Sequence, residues 1–183
     1  MQRDNNIVNS VEIVNVPPAK DDEVFDEVDV PSGVSELDKK DIQHLFQGRN
    51  LAFVSTLSED GSPYITPMWA DMEGDLILIN TFETSVKSEN ITKDPRIAIC
   101  VVENNNPYNM VSIKGRVIER TTEGADEHLK KLAKRYLGIG KYYYRKPNRR
   151  RVILKIKPEK ATGLSIHPAF YFLAYSPWNR HKV

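Results

Sequence analysis

The sequence predicts a mainly β fold: six antiparallel strands curled into a closed or partly closed barrel, with a few helices at its edges. Three observations carry this. Short apolar runs recur between residues 51 and 156, several alternating with polar residues at period two. Turn signals with glycine at their centre, Glu59-Asp60-Gly61-Ser62 and Glu73-Gly74-Asp75, join successive runs as hairpins. The helical stretches do not alternate regularly with the strands, so a parallel βαβ sheet is not expected. Barrel closure follows because it removes the unpaired edges that an open sheet would expose.

In chain order, Ser35 offers a helix N-cap, Leu37, Ile42, Leu45 and Phe46 follow at helical spacing, and Gly48 stops the helix. Leu51–Leu57, Tyr64–Met72 and Leu76–Asn80 are the first three strands and form a meander of two hairpins. Thr84 or Ser85 caps a short helix through about Thr92, with Pro95 beyond its end. Arg96–Glu103 is a fourth strand, apolar throughout and so expected to be buried on both faces. Met110–Arg120 is the fifth, and Gly115 in its middle predicts a bend, a bulge or a close backbone approach. Thr122 begins a helix through about Leu137, stopped by Gly138 and Gly140. Val152–Ile156 is the sixth strand.

Residues 1–33 differ from the rest. Asp21, Asp22, Glu23, Asp26, Glu27 and Asp29 crowd together, and Pro17, Pro18, Pro31 and Gly33 break any period. This reads as a loosely ordered acidic extension, or as an arm that wraps a partner subunit. Residues 34–183 read as one barrel domain ending in an aromatic tail that holds Phe170, Tyr171, Phe172, Tyr175 and Trp178.

The 183 residues suffice for one domain with a core, and a formal net charge of +1 gives no general pull toward nucleic acid or an anionic membrane. The single cysteine, Cys100, excludes an internal disulfide framework and reads as a buried structural thiol. No apolar run approaches a membrane span, and the polar start, Met1 to Asn6, has no signal-peptide core. The expected compartment is the cytoplasm. The histidines His44, His128, His167 and His181 are scattered without ligand spacing, so no metal site is expected. No phosphate-loop, dinucleotide or nucleophile-elbow motif occurs.

Three stretches could carry chemistry. Residues 80–90 cross from a strand into a helix, where unpaired N–H groups and the helix dipole favour an anion. Asn80, Thr81, Ser85, Lys87 and Asn90 are its candidate ligands; the same residues also read as a capped helix with a solvated lysine. Thr66-Pro67-Met68-Trp69 places a proline inside a strand, which implies an edge or an opening against which a flat ring could lie. Taken alone, the stretch fits an edge strand with a buried tryptophan slightly better. Tyr142 and its neighbours in Lys141–Lys146, followed by Arg149–Arg151, interleave basic and aromatic residues, a pattern suited to single-stranded nucleic acid, a polyanionic small molecule or a solvated loop. The near-zero net charge counts against nucleic acid.

From about Asp41 to Lys160 the order of these segments resembles the pyridoxamine-phosphate-oxidase-like, FMN-binding split-barrel superfamily. More narrowly, it is similar to the flavin/deazaflavin oxidoreductase branch that uses coenzyme F420. The resemblance is carried by Leu51–Leu57 with Gly61-Ser62-Pro63, by Thr66–Trp69, and by Ser85–Ile91 with Asp94-Pro95-Arg96. It continues in Asn106-Pro107-Tyr108, Ile113–Val117, Gly124–Leu129 and Arg135–Gly138. It implies a homodimer holding F420 or FMN in a cleft between subunits. The cofactor phosphate would sit near Lys87, Ser85 and Thr81, and the ring along Thr66, Pro67, Met68 and Trp69. Tyr64 and Tyr142 are candidates to line the substrate side. The implied activity is hydride transfer between the cofactor and a small flat organic substrate, with no residue required as catalytic acid or base. Two other classes stay open: a flavin or haem carrier of the same fold, and a nucleic-acid-binding module.

Overall fold

The protein is described by a computed structural model over residues 34–36, 38–139 and 149–166. The expectations for residues 1–33, for Tyr142 and for the aromatic tail lie outside the described residues. All described elements fall in the compact unit Pro31–Val183.

The chain forms β1 (Val34–Glu36), α1 (Lys39–Gln47), β2 (Ala52–Leu57), β3 (Pro63–Met68), β4 (Ala70–Glu73) and β5 (Leu76–Phe82). After these come α2 (Val86–Lys93), β6 (Arg96–Val102), β7 (Met110–Thr121), α3 (Ala125–Leu137) and β8 (Arg151–Ile166). Every pairing is antiparallel. The path runs β3-β2-β6-β7-β8-β5-β4, with β1 added on β8.

The two end strands, β3 and β4, are consecutive in the chain and separated by Trp69 alone. One residue spans no more than about 7 Å between its neighbours. The sheet must therefore curl until its ends meet at Trp69, giving a barrel split between β3 and β4. The predicted mainly β, antiparallel class holds, with eight strands among the described residues where six were expected. One extra strand comes from the break at Trp69 inside the predicted Tyr64–Met72. The other is β1, too short to carry a period.

Other details depart from expectation. β2 pairs with β3 and with β6, while β5 pairs with β4 and β8, so the two hairpins are not a continuous meander. β6 buries only alternate residues; Ala98 and Cys100 face outward, and Cys100 is half-buried where a buried thiol was expected. The cap of α1 is Asp38, not Ser35, which belongs to β1. Its carboxylate accepts from the Lys40 and Asp41 N–H groups, and Asp41 reciprocates toward the Asp38 N–H.

Inward-facing Ala52, Val54, Ile79, Ile99, Ile113 and Leu154 fill the barrel, and Leu45 and Phe46 of α1 join them. Burial of each such aliphatic or aromatic side chain contributes about 1.5–3 kcal/mol against the entropy of ordering the chain. The predicted bend at Gly115 is a register shift in the β7–β8 ladder between Lys114 and Gly115. A Cβ there would lie 2.6 Å from the Lys157 carbonyl oxygen, so only glycine fits. Gly138 stops α3 at φ 73°, the left-handed conformation that glycine adopts without a steric penalty.

Candidate functional site

β5 delivers the chain to the start of α2 through residues 83–85. The Ser85 N–H donates to the Phe82 carbonyl at 3.1 Å, and the Glu83 N–H to the Arg150 carbonyl at 3.0 Å. Ser85 then caps α2: its Oγ accepts from the Ser88 N–H at 3.3 Å and lies 3.0 Å from Thr81 Oγ1. The N–H groups of Val86 and Lys87, in the first turn, have no intrahelical acceptor. Their partial positive charge faces out from the helix start.

Lys87 turns inward. It is 5% exposed, and its Nζ donates to Thr66 Oγ1 on β3 at 2.6 Å. The ammonium also lies 5.5 Å from the ring centre of Tyr64. Burial pushes its pKa down, and no carboxylate among the described residues forms an ion pair with it. Taking an ammonium out of water costs several kcal/mol unless a counter-charge is supplied. A buried lysine satisfied by one hydroxyl and the face of one ring is therefore chemically prepared for an anion.

The fold thus brings Tyr64 and Thr66 of β3 to the Lys87 ammonium, and Thr81 of β5 to Ser85 at the cap of the same helix. The other candidates are placed differently. On β3 the inward positions are Tyr64, Thr66 and Met68, and Met68 packs against the core. Pro67 faces solvent on the outer side, and β3 is an edge strand, as a proline in its interior predicts. Trp69 occupies the break between β3 and β4, stacked on Tyr136 of α3 with ring centres 5.2 Å apart and planes 13° from parallel. Asn80 faces away from Thr81. Its Nδ2 donates to the Ala125 carbonyl at 2.7 Å, tying β5 to α3. Asn90 is buried against the barrel, its Nδ2 donating to Thr56 Oγ1 at 3.0 Å. These two amides hold elements in place.

Several residues that organise this region are not among the site candidates read from the sequence, although positions 128, 135 and 136 fall in segments that carry the family resemblance. Tyr136 Oη donates to the Asn50 carbonyl at 2.7 Å, which fixes the ring that supports Trp69. Asp71, next to that break and 1% exposed, accepts from Lys131 at 2.5 Å and from Arg135 at 2.7 Å. His128 Nε2 lies 3.5 Å from the same carboxylate. Positions 128, 131 and 135 lie on one face of α3, so the helix clamps the β4 edge of the split. Arg120 on β7 reaches α2. Helical spacing within 125–137 was legible, but which carboxylate it met was not. The basic run is partly described: Arg151 lies 3.9 Å over the Phe82 ring and Arg149 5.6 Å from it, beside a cavity of about 510 Å³ that Asp126 and Glu127 also line. No helix among the described residues is long and apolar enough to cross a membrane.

The sequence pattern of the family described as pyridoxamine 5'-phosphate oxidase matches residues 38–165, which is most of the chain and spans α1 to β8. No curated protein matches. Among solved structures the chain is similar to an F420 reductase at 24% identity and a TM-score of 0.59, covering 65% of this chain and 94% of that one. It is also similar to an FAD-binding protein from Mesorhizobium loti at 16% identity and a TM-score of 0.54, covering 73% and 97%. A third similarity is to HupZ of group A Streptococcus at 23% identity and a TM-score of 0.51, covering 69% and 94%. At these identities the likeness is one of fold.

Proposed function

The chain belongs to the pyridoxamine 5'-phosphate oxidase family, and on that premise we propose that it is a homodimeric oxidoreductase that binds a flavin or deazaflavin, FMN or F420, at the corner between β5 and α2. The observation that carries the reading is Lys87: a buried ammonium with no ion pair among the described residues, bonded to Thr66 and carried in the first turn of α2. An anionic phosphate supplies the missing counter-charge. The names of two structural neighbours, an F420 reductase and an FAD-binding protein, support the same class of ligand.

Within this reading each residue has a task. Lys87 and the Val86 and Lys87 N–H groups bind the phosphate. Ser85 accepts the Ser88 N–H, which leaves its hydroxyl proton free to donate to Thr81 or to the anion. The open edge of β3, from Thr66 to Trp69, offers backbone groups to the polar rim of a ring. Tyr136 holds Trp69 flat, so the split stays shaped for a planar group. When bound, the cofactor supplies the hydride chemistry; the protein supplies orientation and exclusion of water. The substrate in this reading is a small, flat, electron-poor molecule.

The dimer has its own support. The outer face of β3, β2 and β6 carries an apolar patch: Phe53 is 43% exposed and Ile65 61% exposed. Phe53 stands opposite both Pro67 and Cys100 in the ladder, so these side chains form one patch. A second copy of the chain would cover it.

The test is titration of the purified protein with FMN and with F420, followed by fluorescence. Wild type is expected to bind one of them, and Lys87→Ala to lose affinity by roughly 10- to 100-fold, the scale of one hydrogen-bonded charge. An unchanged dissociation constant in Lys87→Ala would overturn the site. Bound cofactor that no acceptor re-oxidises would show a carrier and not an enzyme.

A further inference from the structure

Helix α2, which presents Lys87, has little apolar surface to hold it. Of its four buried residues, Lys87, Ser88, Asn90 and Ile91, three are polar. Eight residues are too few for a helix to be stable in isolation. Its placement therefore depends strongly on side-chain ties to the barrel. Two have been described, Lys87 to Thr66 and Asn90 to Thr56. At its far end Lys93 pairs with Glu59 of the β2–β3 turn in an exposed ion pair, and a further tie comes from Arg120, the penultimate residue of β7.

The Arg120 guanidinium donates through Nη2 to Ser88 Oγ at 2.7 Å and through Nη1 to Thr92 Oγ1. The two hydroxyls are four residues apart, so they share one face of the helix. Thr92 Oγ1 in turn donates to the Ser88 carbonyl at 2.9 Å, which holds it in place as an acceptor. Ser88 is fully buried. A planar fork gripping two points one turn apart resists rotation of the helix about its axis, which a single bond from a flexible lysine would not. Lys87 is the chain neighbour of Ser88, about 100° around the helix. Any rotation that carried the ammonium away from Thr66 would break both Arg120 bonds. Among the described residues Arg120 forms no ion pair, so these hydroxyls are its charge-assisted partners.

We propose that Arg120 is a positioning residue of the anion corner. It does not touch the bound anion; it sets the rotation of α2 so that Lys87 Nζ and the first-turn N–H groups converge on one point. This rests on the cofactor reading above, and the experiment separates the two. FMN and F420 are titrated by fluorescence against wild type, Arg120→Met, Arg120→Lys and Lys87→Ala of the full chain, across neutral to alkaline pH. Arg120→Met is expected to weaken the bound cofactor about tenfold with an unchanged circular-dichroism spectrum. It should also move the alkaline loss of affinity toward the range of an ordinary lysine, because Lys87 swings into water. Arg120→Lys, which keeps the charge on a single donor nitrogen in place of the fork, should recover part of the affinity. If Arg120→Met binds like wild type while Lys87→Ala is weakened, the positioning role is overturned and the site stands. If wild type binds neither cofactor, or Lys87→Ala binds like wild type, the cofactor reading fails and this inference fails with it. Should Arg120→Met not fold, Thr92→Val removes one acceptor without touching a charge. A severalfold loss is then expected, and unchanged binding overturns the proposal.

Discussion

Lys87 and Asp71 are opposite solutions to the same problem of a buried charge. Asp71 is answered from within the chain. Burial alone would raise its pKa, but bonds from Lys131 and Arg135, with His128 close by, outweigh that and hold the carboxyl well below the usual range. A carboxyl whose pKa is lowered on folding contributes stability above its unfolded value, near 3.9, and that stability is lost as pH falls from there toward the folded value. Asp71→Asn is expected to cost about 3 kcal/mol, since Arg135 is left with little access to water. The corresponding fall in melting temperature, read by thermal denaturation at neutral pH, is roughly 6–12 °C. Lys87 is not answered from within. Its pKa is lowered, so the charged form works against the fold below the folded pKa, and that cost is relieved as pH rises through it. An anion binds only the charged form well. Cofactor affinity should be greatest below the Lys87 pKa and should weaken on the alkaline side before an ordinary lysine near 10.4 would titrate. Titrations across alkaline pH check this, and Lys87→Met should be flat there.

At the scale of elements, local chemistry wrote most of the boundaries. Gly61, Gly74 and Gly138 all take positive φ where turns or a helix end were expected, and Ser85 caps α2 as predicted. The proline at 67 correctly marked an edge strand. The register shift at Gly115 was also foreseeable, though not its cause, the Lys157 carbonyl pressed against the missing Cβ. Gly115→Ala should cost about 1–3 kcal/mol, the usual penalty for overpacking, and chemical denaturation will report it as a lower midpoint at unchanged slope. The break at Trp69 was not legible. Residues 64–72 suit a strand throughout, and the interruption exists because the curled sheet must turn a corner there.

At the scale of the whole molecule, the described residues cover one edge of the curled sheet and leave the other unpaired. Helix α3 clamps β4 through Asp71, while β3 and the sheet face beside it expose Ile65 and Phe53. In the dimer reading, that face meets its copy. Ile65→Lys with Phe53→Lys should convert the protein from twice to once the chain mass by light scattering. If the cofactor cleft lies between subunits, the same variant should bind FMN or F420 more weakly. A wild-type chain that is monomeric at micromolar concentration would overturn the dimer.

The sequence by itself determined the class of fold, the main helices and most strands, and the cap of the helix that bears Lys87. These follow from periods, caps and turn residues that act within a few positions of the chain. Which strands are neighbours, and which way each polar side chain points, was decided only in three dimensions. Asn80 and Asn90 lie in the same stretch as Lys87, yet one serves α3 and the other β2. Arg120 reaches Ser88 across 32 positions. Such contacts depend on the closure of the barrel, which brings distant residues together after local rules have already been satisfied.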